Sequence, residues 1–314
     1  MPLLKKANIL FDLSHNEMLN IEEEEFSEFY NLLLRLNIKI NVNKEKELLK
    51  ELLVDKDILI IGNPIDDYFS QDEIRNVINF VRKGGNILLL SEYGADYLQK
   101  TNLNDISGPH FGIYFENNLI KGLNNNNQNS TSLLNVQNFG NKKIRHGIRE
   151  MIVGGTCSIS LEKGAKPLLW TSECNIWSEW YNNSLEVMTK AEDDSQIIGA
   201  YSKYGKGKII ALGDIDIFTN DLNIGISQLD NQIFITNILN WLIAPLKEPD
   251  LISFALNQLG EFDKYIASIK KKINNVIESI TLLEERISKI EDKINIITKH
   301  ENTKSLPKKN SQNS

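Results

Sequence analysis

Cysteine is scarce, with only Cys157 and Cys174 in 314 residues. Two thiols with this spacing make neither a metal-binding pattern nor a disulfide framework, and they read as partly buried thiols in a reducing compartment. Long apolar runs are also missing. No stretch reaches the roughly eighteen consecutive apolar residues that a membrane-spanning helix requires. An excess of base is missing as well: 35 Lys and Arg stand against 42 Asp and Glu, for a net charge of −7. A protein that neutralises phosphates needs a basic face, so no nucleic-acid partner is expected. The run Lys304–Lys309 is weakly basic but short, and reads as a solvated end. Lys5 and Lys6 precede an apolar run that Asp12 breaks, too short for an export signal. A cytoplasmic protein is therefore expected. What remains, 41% apolar and 25% charged, is an ordinary globular composition long enough for an unstapled core.

The first half alternates strand and helix. Asn8 to Leu13 is a short apolar run with polar flanks, a buried strand by length. Phe26, Phe29, Leu33 and Leu36 give helical spacing within Glu22 to Leu36. Ile38 to Val42 and Asp57 to Gly62 read as the next strands, the latter closed by Asn63-Pro64. Ser70 with Glu73 three residues on is a capping box, and Ile74, Val77, Ile78 and Val81 form one face of the helix it opens. Gly84-Gly85 ends that helix, and Asn86 to Leu90 is another buried strand. Continuous apolar strands joined through helices indicate a parallel sheet covered on both faces.

Beyond an Asn-rich loop at about 124–132 the pattern shortens. Ile152 to Leu161, Pro167 to Trp170 and Gln196 to Tyr201 read as strands. Tyr204 to Lys208 forms a hairpin-like turn into the strand Ile209 to Leu212. Asp230 caps a helix to Leu242, which Pro245 stops. The fold class is thus α/β, a doubly wound and mostly parallel sheet of flavodoxin-like kind over residues 1–246. A linker at 247–257, a long C-terminal coiled-coil helix at 258–299 and a tail at 300–314 follow.

In the coiled-coil segment apolar residues recur at alternating steps of three and four. Leu259, Ile266, Ile273, Ile280, Ile287 and Ile294 make one set; Phe262, Ile269, Val276, Leu283, Ile290 and Ile297 make the other. That is a strict 3.5-residue period, and the intervening positions are mostly Lys, Glu, Asn and Ser. A helix folded back on a globular body presents a wider apolar face, so the narrow seam calls for a partner helix, from a second copy or from another protein. The rod spans about 58 Å at 1.5 Å per residue. No polar seam residue fixes register or partner.

Ligands of an open parallel sheet sit beyond the carboxyl ends of its strands. Those ends carry Asp12, Ser14, His15 and Glu17 after the first strand, and Asn63 with Pro64 after the third. Ser91, Glu92 and Tyr93 follow the fourth, and Asp214 and Asp216 follow the late strand. Together they are expected to line one cleft. Carboxylates so gathered suit Mg²⁺ or Ca²⁺, but with no ligand-loop motif they read as caps of helices and turns, and no metal or cofactor is expected. His110 and His146 read as isolated loop residues. Trp170, Trp177, Trp180 and Tyr181 read as an aromatic group whose commonest fate is core packing.

Phe11 to Glu17, the helix 70–83 followed by Gly84-Gly85, the strand into Ser91-Glu92-Tyr93-Gly94, and Thr101 to Asn104 together resemble the GIFT domain. That domain is shared by the gliding-motility and ABC-transport accessory protein GldG and by a core scaffold subunit of the intraflagellar transport particle. Gly205 to Gly207, Gly213 to Asp216, Asp230-Asn231 and Asn240 to Leu242 resemble its closing portion. The resemblance implies a fold similar to class I glutamine amidotransferases, a scaffold role, and a weak leaning toward carbohydrate. An amidotransferase places a Cys on the strand-to-helix turn and a His-x-Glu pair after a late strand. Glu92 stands at the first position here, and Asp214 and Asp216 at the others. The triad is absent.

A non-catalytic scaffold or adaptor is therefore the expected function, with a protein partner on the α/β domain. The competing expectations are a hydrolase and a small-ligand, carbohydrate-type sensor using the strand-end acids. A Ser91–His15 pair lacks the glycine two positions before the nucleophile, Leu89 standing there.

Overall fold

A computed structural model describes residues 7–44, 47–123, 129–172, 175–182, 187–192, 195–244, 266–284, 286, 287 and 290. The chain divides into two compact units, Met1–Leu251 and Ile252–Ser314.

The first unit is built on an eight-stranded sheet. Its parallel part comprises β1 (Asn8–Asp12), β2 (Lys39–Asn43), β3 (Ile58–Gly62), β4 (Asn86–Leu90) and the late strand Gly207–Leu212. They lie in the order β2, β1, β3, β4, late strand. Three antiparallel strands, Ile197–Tyr204, Lys166–Trp170 and Asn138–Phe139, extend the sheet beyond the late strand. β3 and β4 are buried at every position, as strands covered on both faces must be.

Pleat alternation sorts the core into two layers. Ile9, Phe11, Ile58, Ile60, Leu88 and Leu90 face a layer with Phe29, Leu32 and Leu33 of α1 (Ser27–Arg35), joined by Phe234, Ile235 and Ile238 of a late helix. Leu10, Leu59, Ile61, Ile87 and Leu89 face the other layer. There they meet Ile74, Val77 and Val81 of α2 (Gln71–Lys83), and Ile106 and Phe111 of a later helix. α2 forms as its sequence dictates. The Ser70 hydroxyl accepts the Glu73 amide at 3.3 Å, the Glu73 carboxylate accepts the Ser70 amide at 2.8 Å, and Gly84 closes the helix at φ 120°. Two short helices follow, α3 (Ala95–Gln99) and α4 (Leu103–Phe111), and α5 (Asn231–Ile243) is the late helix of the first layer.

Several sequence expectations are corrected. Ile152 to Leu161 is not one strand: Met151–Val153 pairs with Leu134–Val136, and Ile159–Leu161 pairs with Ile113–Phe115. The intervening Gly154-Gly155 turn, with Gly155 at φ 62°, breaks the run. His110 lies inside α4, against Tyr204, rather than in a loop. Asp230 stands at the start of α5 but makes no side-chain cap; its carboxylate instead accepts the amides of Arg149 and Glu150. The Asn-rich segment contains a short strand, Ser130–Thr131, at the edge of a second, four-stranded antiparallel sheet. Residues 124–128, Cys174, Pro245 and the linker and tail lie outside the described residues.

In the second unit, 266–284 are helical. The seam residues Ile266, Ile269, Ile273, Val276, Ile280, Leu283, Ile287 and Ile290 are between 40% and 57% exposed. Leu259, Phe262, Ile294 and Ile297 lie outside the described residues.

Candidate functional site

The polar strand ends gather in two clusters, not in one cleft. The first forms where β1 ends. Asp12 is buried and accepts from three directions: the Ser14 hydroxyl at 2.8 Å and the Asn43 amide at 2.8 Å reach Oδ1, while His15 Nδ1 lies 2.9 Å from Oδ2. The other ring nitrogen of His15, Nε2, is 3.2 Å from Glu73 Oε1. The ring also lies over Phe69, with centroids 3.9 Å apart. Glu17 accepts the His15 amide through Oε2 at 3.0 Å, and its Oε1 is buried without a hydrogen-bond partner.

Phe69 and Glu73 place this cluster on the α2 side of the sheet. Burial acts to raise the Asp12 carboxyl, but the bond and charge of His15 outweigh it and hold the group below the usual range. Burial likewise acts against the His15 cation, yet Asp12 and then Glu73 bring it net upward. Burial, reinforced by the Asp12 charge, pushes Glu17 up to about 9.

The second cluster joins the ends of β4 and the late strand. Glu92, Asp214 and Asp216 each bring one carboxylate oxygen within 4.8 Å of the others. Glu92 Oε1 accepts the Ile215 amide at 2.9 Å, and Asp214 accepts the Gly154 amide at 2.9 Å and the Asp216 amide at 2.6 Å. Gly155 is needed beside them: at its positive φ, a Cβ would stand 3.0 Å from Glu92 Oε2. Ile215, Ile217 and Phe218 around these acids belong to the α1–α5 layer. Burial first, then the mutual charge of these acids, raises Glu92 and Asp214 well above the carboxylate range. Burial with Glu25 and Asp221 pushes Asp216 up to about 6.

Side-chain parity explains the separation. Asp12 continues the face of Leu10, toward α2, whereas Glu92 and Asp214 continue the faces of Leu90 and Leu212, toward α1 and α5. β3 also intervenes between β1 and β4. Asn63 follows β3 at φ 55°, its amide donating to Met18 Sδ and its buried Oδ1 without a partner.

The elbow turn after β4 carries its positive φ beyond Glu92, not at it. Gly94 and Ala95 take positive φ, and the Tyr93 amide donates to Gly155 O. Glu92 occupies the turn, and no imidazole stands near it among the described residues. Ser91 sits by the thiol of buried Cys157, whose ionisation burial and then Glu92 oppose. His15 is held by Asp12 and Glu73, so Ser91 and His15 do not pair.

The aromatic group does not make one platform. Trp170 lies in the large sheet, and Trp177 and Trp180 lie in the four-stranded one at positions of opposite pleat parity. Trp177 is buried and donates to Glu179, and Trp180 donates to Ser178.

Sequence reading missed a groove of about 550 Å³ at the opposite ends of the strands, where Lys50, Lys56, Arg82 and Lys83 border Phe80 and Gly84-Gly85. These residues come from separate segments, so nothing local marks them as one surface.

No curated protein sequence matches the chain. Among solved structures, the mmIFT52 N-terminal domain superposes with a TM-score of 0.61 at 19% identity, covering 76% of this chain and 99% of that one. Cytoplasmic protein STM1381 from Salmonella typhimurium LT2 gives a TM-score of 0.50 at 12% identity over 75% of this chain and 99% of its own. Cytoplasmic protein STM3548 from Salmonella typhimurium gives 0.50 at 9% identity over 75% and 98%. At these identities the likeness is one of fold. The sequence family that matches is the one to which the motifs pointed, for residues 8–126 match the IFT52 GIFT domain.

Proposed function

We propose that the chain is a non-catalytic scaffold or adaptor, whose α/β domain holds a protein partner and whose C-terminal helix pairs with a second helix. The observation that carries the reading is the 3.5-residue spacing of Ile266, Ile269, Ile273, Val276, Ile280 and Leu283 along a segment, 266–284, that is helical. Burying one such side chain contributes roughly 1.5–3 kcal/mol, so a stripe of this length laid against a second helix favours association strongly. The elbow supports the same reading. Glu92 lacks a nucleophilic sulfur or hydroxyl, and Asp214 is engaged by backbone amides where a base would stand. The match of residues 8–126 to the IFT52 GIFT domain agrees with an assembly role.

Light scattering of the full chain tests the reading against a chain ending at Pro249 and against Ile273→Asp/Ile280→Asp in the full chain. The full chain is expected to be an oligomer and both others folded monomers. A monomeric full chain at micromolar concentration, with no partner helix required for its stability, overturns the coiled-coil half of the proposal.

A further inference from the structure

The first cluster lies where an open sheet binds ligands. The chain runs from β1 outward to β2, then returns past β1 to β3, so the order reverses between β1 and β3. Crevices at such reversals, beyond the carboxyl ends, are the usual ligand sites of doubly wound sheets. Here the crevice is filled by the chain itself. The Met18 amide donates to Asn63 O at 3.1 Å, the Leu19 amide donates to Gly62 O at 3.0 Å, and Glu17 bridges Pro64. That packing lays the 17–19 segment along the end of β3 and leaves the donors of the cluster facing one another, an arrangement suited to a single ion.

The distances fit an ion. His15 Nδ1 lies 2.9 Å from Asp12 Oδ2, 3.8 Å from Glu17 Oε1 and 3.1 Å from Ser14 Oγ. A tetrahedral Zn²⁺ with bonds near 2.0–2.1 Å sets its donor atoms about 3.3 Å apart, the middle of that range. The independent sign of a ligand is Glu17 Oε1. The Glu17 side chain is 0% exposed, no N–H donor of a neighbour reaches Oε1, and one Glu17 oxygen belongs to the set of donor atoms lying within 4.8 Å of one another. Without an ion a proton bonds the Glu17 carboxyl to Asp12; a cation among these atoms displaces that proton and takes both buried carboxylates as partners. The outer shell is in place too. Glu73 lies 3.2 Å from His15 Nε2 and is itself fixed by the amides of Leu48 and Ser70, the carboxylate–histidine arrangement that orients a metal-ligating imidazole. Asn43 likewise fixes Asp12 from its other oxygen. The Glu92 cluster has no orphaned oxygen among the described residues, and no such argument extends to it.

We infer that Asp12, His15 through Nδ1, and Glu17 bind one first-row divalent cation, Zn²⁺ being the representative ion, with Glu73 as the positioning residue for His15. An imidazole beside two carboxylates favours such an ion over Mg²⁺ or Ca²⁺, which take all-oxygen shells. The ion pins the 13–19 loop over the β1–β3 crevice and so has a structural role.

Calorimetric titration of the chelator-treated full chain with ZnCl₂, with MgCl₂ and CaCl₂ as controls, tests the inference. One equivalent of Zn²⁺ is expected to bind and raise Tm, with Mg²⁺ and Ca²⁺ at least tenfold weaker. Glu17→Gln is expected to weaken Zn²⁺ binding at least tenfold, Glu73→Gln by about 10–100-fold, and Glu92→Gln not at all. Circular dichroism of each chelated variant separates loss of the site from loss of the fold. If Glu17→Gln does not fold, the Glu73→Gln titration decides alone. Absence of saturable Zn²⁺ binding overturns the site, as does equal affinity for Mg²⁺, unchanged affinity in Glu73→Gln, or loss in Glu92→Gln.

Discussion

Glu92 Oε1 accepts the Ile215 backbone amide at 2.9 Å, tying the turn after β4 to the loop after the late strand. The residue at the elbow is therefore a brace between two strand ends. A backbone donor is fixed opposite the carboxylate, and no imidazole stands beside it among the described residues.

Glu92→Cys accordingly restores the nucleophile but not the reaction. Asp214 has both oxygens engaged by the Gly154 and Asp216 amides and replaces no imidazole. Glutamine hydrolysis by this variant is expected to equal the protein-free blank. Saturable turnover would remove the non-catalytic reading.

Stability should depend on pH through Asp216. Burial, then Glu25 and Asp221, push its folded-state carboxyl up to about 6 from 3.8, and Glu92 and Asp214 face it as well. Between those values the folded state keeps a proton that the unfolded chain has released. Its contribution is present below about pH 4 and is lost as pH rises through about 6, a change of at most roughly 3 kcal/mol. Asp12 works the other way: His15 holds it low, so its contribution is present above about pH 4 and is lost on further acidification. Urea denaturation from pH 4 to 7 should show a decline that Asp216→Asn lessens, the remainder including Asp96, which burial also pushes up to about 6. An unchanged slope in Asp216→Asn would refute the assignment.

Lys208 closes the end of α5. Its buried Nζ donates to the carbonyls of Trp241 and Ala244 and lies 5.1 Å from the centre of the Trp241 ring. The last carbonyls of a helix have no partner within it, and a cation there also meets the negative end of the helix dipole. Lys208→Met should cost about 1–3 kcal/mol in denaturant titration. A cost below a few tenths would mean that water replaces the ammonium.

Ser70→Ala removes one half of the capping box of α2. The loss should be about 1 kcal/mol, read from the same titration. Glu73→Ala should cost more, because the Glu73 carboxylate also accepts the Leu48 amide and faces His15. Equal costs would show that the cap alone matters.

Local features were legible. The capping box, the stop at Gly84-Gly85 and the buried runs of β3 and β4 depend on neighbours in sequence, and each is found where the residues put it. Asp230 was not legible in the same way: it has the residue type and place of a cap, yet the amides of Arg149 and Glu150 hold its carboxylate. Competition from donors distant in sequence leaves no local signal. Ile152 to Leu161 misled for a related reason, since an apolar run does not reveal that its two halves pair with different partners.

Sequence alone determined most elements of the parallel sheet, their buried faces and the 3.5-residue period of the C-terminal segment, because these are periodic or positional properties of one stretch of chain. It also named every acid at the strand ends. Only the tertiary structure decided which of them meet. Strand order put β3 between β1 and β4, and pleat parity sent Asp12 toward α2 but Glu92 and Asp214 toward α1 and α5. Which side of a sheet a strand's last residue faces is set by hydrogen-bonded register with neighbours far along the chain, and no spacing within a single strand encodes it.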